Sequence, residues 1–200
     1  MPTSVIPYIP ETIVVHLGAP TASAANVTVP FTDYVKNVVS SEIYPTWPEN
    51  SLRANILAQI SFALNRVYTE WYRSKGYDFD ITNSTQYDMA FTYGGEVFDN
   101  INRIVDEIFN NYVRRIGTVE PYFTEFCNGT TVTCDGMSQW GTVSLANQGY
   151  SPLGILQYYY GDDLELVTNA PIRAAIESYP GFALRRGMVS NDVYLVQIEL

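Results

Sequence analysis

One segment governs what this chain can become. Behind Pro48, from Glu49 to about Arg73, Leu52, Ile56, Leu57, Ile60, Ala63, Leu64, Val67 and Trp71 recur at helical spacing and cover more than one face. A helix that is apolar on most sides buries all of them only at the centre of a fold, with other elements packed around it. Gly76 supplies its stop. Two hundred residues suffice for one well-buried domain built on such a strut, with room for a small appendage.

The flanks supply both strands and helices. Thr12 to Gly18 is β-branched and ends at glycine, and Asn26 to Phe31 alternates Val27 and Val29 with Thr28, so the two read as a hairpin. Thr32 reads as the cap of a following helix, with Asp33 in its first turn, and Val35, Val38, Val39 and Glu42 fall on one stripe. A third helix is expected from about Glu96 to Arg115, on the period of Val97, Ile101, Ile104, Val105, Ile108 and Tyr112. Strand and loop follow over residues 122–135. A short helix from Ser138 to Gln148 closes at Gly149, and another starts at Ser151-Pro152 and ends at Gly161. The expected fold is α+β, with helices packed around a small antiparallel sheet in a single main domain. Residues 168–183 read as a linker.

Charge narrows the partners. A net charge of −10 opposes binding to nucleic acid, which depends on Lys and Arg neutralising phosphates, and opposes anionic membrane surfaces as well. No run of 18 apolar residues exists to insert into a membrane. Met1 to Pro10 has three prolines and no basic residue ahead of an apolar run, so it does not read as a secretory signal. The sixteen tyrosines suit either a carbohydrate-facing groove or a tyrosine-rich core and rim.

Among groups able to do chemistry, Glu42 stands out. A carboxylate on an apolar stripe is desolvated, and desolvation favours the protonated form that a general acid needs; the alternative is a Glu at the solvent edge of a helix end. His16, the sole histidine, lies in a strand and reads as structural. Cys127 and Cys134 enclose six residues and could form a disulfide, remain two thiols, or supply half a zinc site. In Gly136-Met137-Ser138-Gln139-Trp140-Gly141, glycine permits close backbone approach and a helix opens beside amide and indole groups. Such a helix start can hold an acetamido group or a carboxylate, or can be an ordinary turn into a helix.

Taken together, these segments resemble the stage II sporulation protein D family, also called LytB-like. The likeness runs through Tyr34-Val35-Lys36-Asn37-Val38-Val39-Ser40-Ser41-Glu42-Ile43, Trp47-Pro48, Ser51-Leu52-Arg53-Ala54-Asn55 and Gln86-Tyr87. It continues through Cys127-Asn128-Gly129, the Gly136 to Gly141 block, Leu145 to Tyr150, and Ile155-Leu156-Gln157-Tyr158-Tyr159-Tyr160-Gly161, spanning roughly residues 12–167. The family's histidine ahead of Gly-Met-Ser-Gln is replaced by Thr133, Cys134 and Asp135, and Asn55 and Ile60 stand where glutamine and arginine are usual. Zinc binding through cysteine and histidine is therefore not carried over, and no metal site is expected beyond the half site that Cys127 and Cys134 could supply.

The resemblance implies a peptidoglycan lytic transglycosylase that cleaves the β-1,4 bond between N-acetylmuramic acid and N-acetylglucosamine. Glu42 matches the catalytic glutamate, and Trp47, Gln86, Ser138, Gln139 and Trp140 are the expected glycan contacts. No cofactor is implied. The partner is the peptidoglycan glycan strand, at the cell wall or spore. The alternative is a noncatalytic wall-binding or structural module on the same fold. Residues 1–167 would be the catalytic domain, and residues 184–200 resemble the opening of a helical peptidoglycan-binding domain.

Overall fold

The computed structural model describes residues 7–174 and Gly187. Strand β1 (Ile9–Pro10) leads into β2 (Thr12–His16), whose Ile13 and Val15 are completely buried. The chain turns back as β3 (Asn26–Pro30), antiparallel to β2 with Thr12 opposite Pro30 and His16 opposite Asn26. This is the expected hairpin.

Helix α1 (Phe31–Glu42) follows without a break. Thr32 is not its cap. Pro30, with φ −53°, already sets the entry, no side chain caps it, and Phe31 is buried as the first helical residue. Helix α2 (Glu49–Tyr68) is the central strut, and every residue from Ser51 to Arg66 except Arg53 is buried. Ile56, Ile60 and Leu64 are at most 2% exposed, and each contributes ~1.5–3 kcal/mol of burial. Helices α1 and α2 pack on each other. The strut ends five residues earlier than the sequence suggests. Glu70 takes a left-handed backbone, φ 48°, and Trp71 turns outward to 44% exposure before a 3-10 turn at Arg73–Lys75.

Strand β4 (Ile81–Thr82) then joins the free side of β2 in parallel. The sheet, in order β3-β2-β4, is therefore mixed rather than antiparallel throughout. The cause is topological: the chain between β2 and β4 includes α1 and α2, and a helical crossover delivers a strand in parallel.

Helix α3 (Asp99–Ile108) is half the expected length. It carries Ile101, Ile104, Val105 and Ile108 inward, but Tyr112 belongs to strand β5 (Tyr112–Arg115). Asn110 and Asn111, poor helix residues, interrupt the period. The Val113 N–H then bonds to the Ser61 hydroxyl of α2 at 2.9 Å, which fixes the segment as a strand. Strands β6 (Phe126–Cys127) and β7 (Met137–Ser138) pair in parallel, Cys127 opposite Ser138. Helices α4 (Gln139–Asn147) and α5 (Pro152–Tyr160) pack on α2, each capped by a serine hydroxyl, Ser138 and Ser151. Strand β8 (Leu164–Val167) returns antiparallel to β5. The fold is α+β.

The expected linker begins later than residue 168. Ala170 is buried, and β9 (Ile172–Arg173) runs parallel to β1, with the Ile9 N–H donating to the Pro171 carbonyl at 2.7 Å. Residues 175–183 of that linker, and 184–200, expected to open a peptidoglycan-binding domain, lie outside the described residues.

Candidate functional site

Helix α1 places Tyr34, Val35, Val38 and Val39 in the core and ends on Glu42, which is half-buried. At Ile43 the backbone turns extended, with its N–H on the Val39 carbonyl. The carboxylate of Glu42 is held from two directions. The Ala90 backbone N–H donates to Oε1 at 2.7 Å, and the Gln139 side-chain amide faces Oε2 at 3.4 Å. Two segments far apart in sequence thus meet on one carboxylate.

The Gln139 arm is a rigid one. Gln139 is 3% exposed and opens α4, and its carbonyl accepts from the Thr142 hydroxyl at 2.6 Å. Thr142 in turn meets the Ser51 hydroxyl at 2.6 Å and the Asn55 amide at 2.9 Å, all three residues fully buried. The Gly136 that precedes this block is needed for close approach. A Cβ there would overlap the Glu125 carbonyl, to which the Met137 N–H donates. Ser138 spends its hydroxyl as the α4 cap, accepting from the Gly141 N–H at 2.9 Å.

Trp47 and Trp140 come together beside this pair, ring centroids 4.9 Å apart. Trp47 is 9% exposed and forms the floor, while Trp140 is 43% exposed. Tyr44, which sequence reasoning missed, completes the cluster at 5.9 Å from Trp47 and 5.7 Å from Trp140, and is 58% exposed. An aromatic residue two places after Glu42 and just ahead of Pro45 and Trp47 was the available signal. Gln86 is not brought in. It stands exposed on its loop, and that loop reaches Glu42 through the Ala90 backbone instead.

The Ala90 arm is anchored by Asp88, also missed because nothing local marks a loop aspartate as buried. Its side chain is 0% exposed. It receives the Arg66 guanidinium at 2.9 Å, the Tyr72 hydroxyl at 2.6 Å, and the Thr82 N–H and hydroxyl at 3.0 and 2.7 Å. The Arg66 guanidinium also lies 4.7 Å from the Trp71 and Phe123 ring centres. Asn37 clamps the far side of the loop through the Thr92 N–H and carbonyl. Under this loop sits Tyr34, whose buried hydroxyl lacks a hydrogen-bond partner among the described residues. Burial pushes its phenol well above the usual value, and the negative charges of Asp88 and Glu42 add to the effect.

Arg53, a conceivable neighbour for Glu42, is committed to Glu49 and Glu107. His16 bonds Asn26 through Nδ1 at 2.7 Å and stacks on Phe79, a structural placement. Cys127 and Cys134 are joined as a disulfide, Cα atoms 6.1 Å apart. That closes the zinc alternative for these two sulfurs, since metal ligation needs thiolates. Inside the bridged loop, the Asn128 side chain accepts from the N–H groups of Thr130, Thr131 and Val132, and its carbonyl accepts from the Trp140 N–H at 3.2 Å. The bridge therefore clasps the loop that feeds Gln139 and Trp140 into place. No helix among the described residues is long and apolar enough to cross a membrane.

Comparison with known proteins points one way. Residues 21–112 match the Stage II sporulation protein family, a stretch that contains Glu42, Tyr44, Trp47 and Ala90. An uncharacterized protein of Brachyspira hyodysenteriae is 27% identical over 108 residues, which is 52% of this chain and 28% of that protein. The chain thus spans well under a third of that relative.

Proposed function

We propose, from the match of residues 21–112 to the Stage II sporulation protein family and from the site described above, that the chain is a peptidoglycan lytic transglycosylase acting at the cell wall or spore. The observation that carries the reading is the setting of Glu42. Its carboxylate is fixed by the Ala90 N–H and the Gln139 amide beside an aromatic platform whose Tyr44 and Trp140 rings face solvent.

Sugar rings present flat apolar faces edged by hydroxyls, which suit exposed aromatic rings with polar groups beside them. With the protein at −10 and peptidoglycan itself acidic, such stacking and hydrogen bonding must supply the affinity. In the reaction, the Glu42 carboxyl gives its proton to the glycosidic oxygen as the C1–O bond of the muramyl residue breaks. Oε2, the more loosely held oxygen, is the one placed to carry that proton. The muramyl 6-hydroxyl then bonds to C1 and returns its proton to Glu42. No water is consumed, and the product ends in a 1,6-anhydro ring.

This route needs one catalytic carboxylate, where glycoside hydrolysis generally uses two. Asp88, two residues ahead of Ala90 on the same loop, is enclosed and already bonded to Arg66, Tyr72 and Thr82, so it suits an anchoring role rather than that of a second catalytic carboxylate. The test is mass spectrometry of purified glycan strands incubated with the protein. Wild type should release anhydromuramyl products, and Glu42→Gln, which keeps the shape and loses the proton relay, should release none while still binding strands. Wild-type protein that binds strands yet releases no such product would leave a noncatalytic binding module.

A further inference from the structure

A second group of exposed rings adjoins the first turn of α4 through Tyr159. Tyr158 projects from α5 at 63% exposure, and Tyr150, just before that helix, is 40% exposed. Their centroids are 6.3 Å apart with the planes at 83°, so they form an open corner. Tyr159 backs Tyr158 at 5.1 Å, and its hydroxyl reaches into the α4 turn at Gly141, where a Cβ would overlap it. Gly141 and Trp140 are adjacent, so one helical turn carries the platform beside Glu42 and also seats Tyr159. Contacts run without interruption from Glu42 through Gln139 and the α4 turn to Tyr159 and Tyr158.

The corner is built rather than incidental. The Tyr150 carbonyl accepts from the Asn50 side chain at 2.9 Å, and its N–H donates to the Leu145 carbonyl at 3.1 Å. α5 is fixed from beneath by Ile155 and Leu156, both fully buried. A ligand therefore meets rings already in place and pays little ordering entropy. Around Tyr150 the exposed residues Asn147, Gln148 and Ser151 are neutral hydrogen-bonding groups. Uncharged hydrogen-bonding groups around two crossed phenol rings match a pyranose, with one ring under its face and the other along its edge.

We propose that the Tyr150–Tyr158 corner is a second saccharide subsite, which binds an N-acetylhexosamine unit of the same strand whose scissile bond lies at Glu42. This rests on the proposed function, because a remote subsite has meaning only for a polymer threaded past Glu42. It makes the protein a reader of chain length: short oligomers occupy the Tyr44–Trp140 platform alone, and long ones also reach the corner.

The probe is a series of soluble β-1,4-linked N-acetylglucosamine oligomers, short to long, titrated calorimetrically into Glu42→Gln protein so that nothing is cleaved. Affinity should rise with length. Adding Tyr158→Ala should cancel the rise, weakening long oligomers by about tenfold and leaving short ones unchanged, and Tyr158→Phe should retain it. The ring is exposed, so its removal leaves the core intact, and an unchanged melting temperature checks this. If short and long oligomers bind equally, or if Tyr158→Ala keeps the length preference, the subsite is refuted while the proposed function stands. If the protein binds no oligomer and no purified glycan strand, both fall together.

Discussion

Replacing Asp88 by alanine should be among the most damaging single changes away from Glu42. The carboxylate is wholly enclosed and its partner Arg66 is 9% exposed, so neither charge is well screened by water. Removing one member of a buried pair costs ~3–5 kcal/mol, because the surviving charge stays desolvated. Arg66 keeps the Tyr87 carbonyl at 3.2 Å and its aromatic neighbours, which puts the loss near the lower end of that range. At ~2–4 °C per kcal/mol for a domain of this size, a loss of about 3 kcal/mol lowers the melting temperature by about 6–12 °C. The same change frees the Ala90 N–H from its place on Glu42, so anhydromuramyl release should fall even below the melting transition. Urea titration measures the first effect, and product analysis well below the midpoint measures the second. A stability loss under about 1 kcal/mol would refute the claim that Asp88 anchors this loop as a buried charge.

Further expectations follow from the same geometry. Reducing the Cys127–Cys134 bridge, or replacing both cysteines with serine, should cost about 2.5 kcal/mol on the loop-entropy estimate and loosen Trp140, read as a change in tryptophan fluorescence. Tyr34→Phe removes a buried hydroxyl that has no described partner, so a urea titration should find it neutral or stabilising; a loss beyond about 1 kcal/mol would reveal a hidden bond. Burial raises the phenols of Tyr34, Tyr72, Tyr112 and Tyr160 above the unfolded value of about 10. The folded state therefore holds these protons when the unfolded state has lost them, so stability is full below about pH 10 and declines above it. Tyrosinate absorbance should then rise in two stages, the second coinciding with unfolding. A chain ended after Val167 should melt lower than one ended after Ala174, since it lacks β9 and the buried Ala170.

Much of this architecture is legible in residue order, and the exceptions have causes. The central strut, the β2–β3 hairpin and both serine caps follow from local pattern: apolar spacing, β-branching and hydroxyls at helix starts. Where tertiary pairing overrides periodicity, the sequence misleads. Tyr112 fits the helical period of α3, yet Ser61 and β8 draw it into a strand. Trp71 continues the period of α2, yet the left-handed turn at Glu70 turns it to solvent. At the site, Glu42, Trp47, Gln139 and Trp140 are visible because they sit in dense motifs. Asp88 and Ala90 are not, since a buried loop carboxylate and a backbone N–H leave no pattern; their roles exist only after distant segments meet. Gln86 shows the converse, a residue in a recognisable motif that stands exposed while its loop reaches Glu42 through the Ala90 backbone.

The pairing of β1 with β9 carries a consequence for how the molecule comes into being. Ile9 finds Ile172 across nearly the whole described chain, so this clasp closes only once β9 has left the ribosome. Until then the Ile9 N–H lacks the Pro171 carbonyl that it meets at 2.7 Å in the finished fold, while the interior around α2 is already available to condense. A nascent chain should therefore pass through a state with a formed interior and an unlatched seam. Changes at Ile9 or Ile172 should accelerate opening far more than they slow collapse.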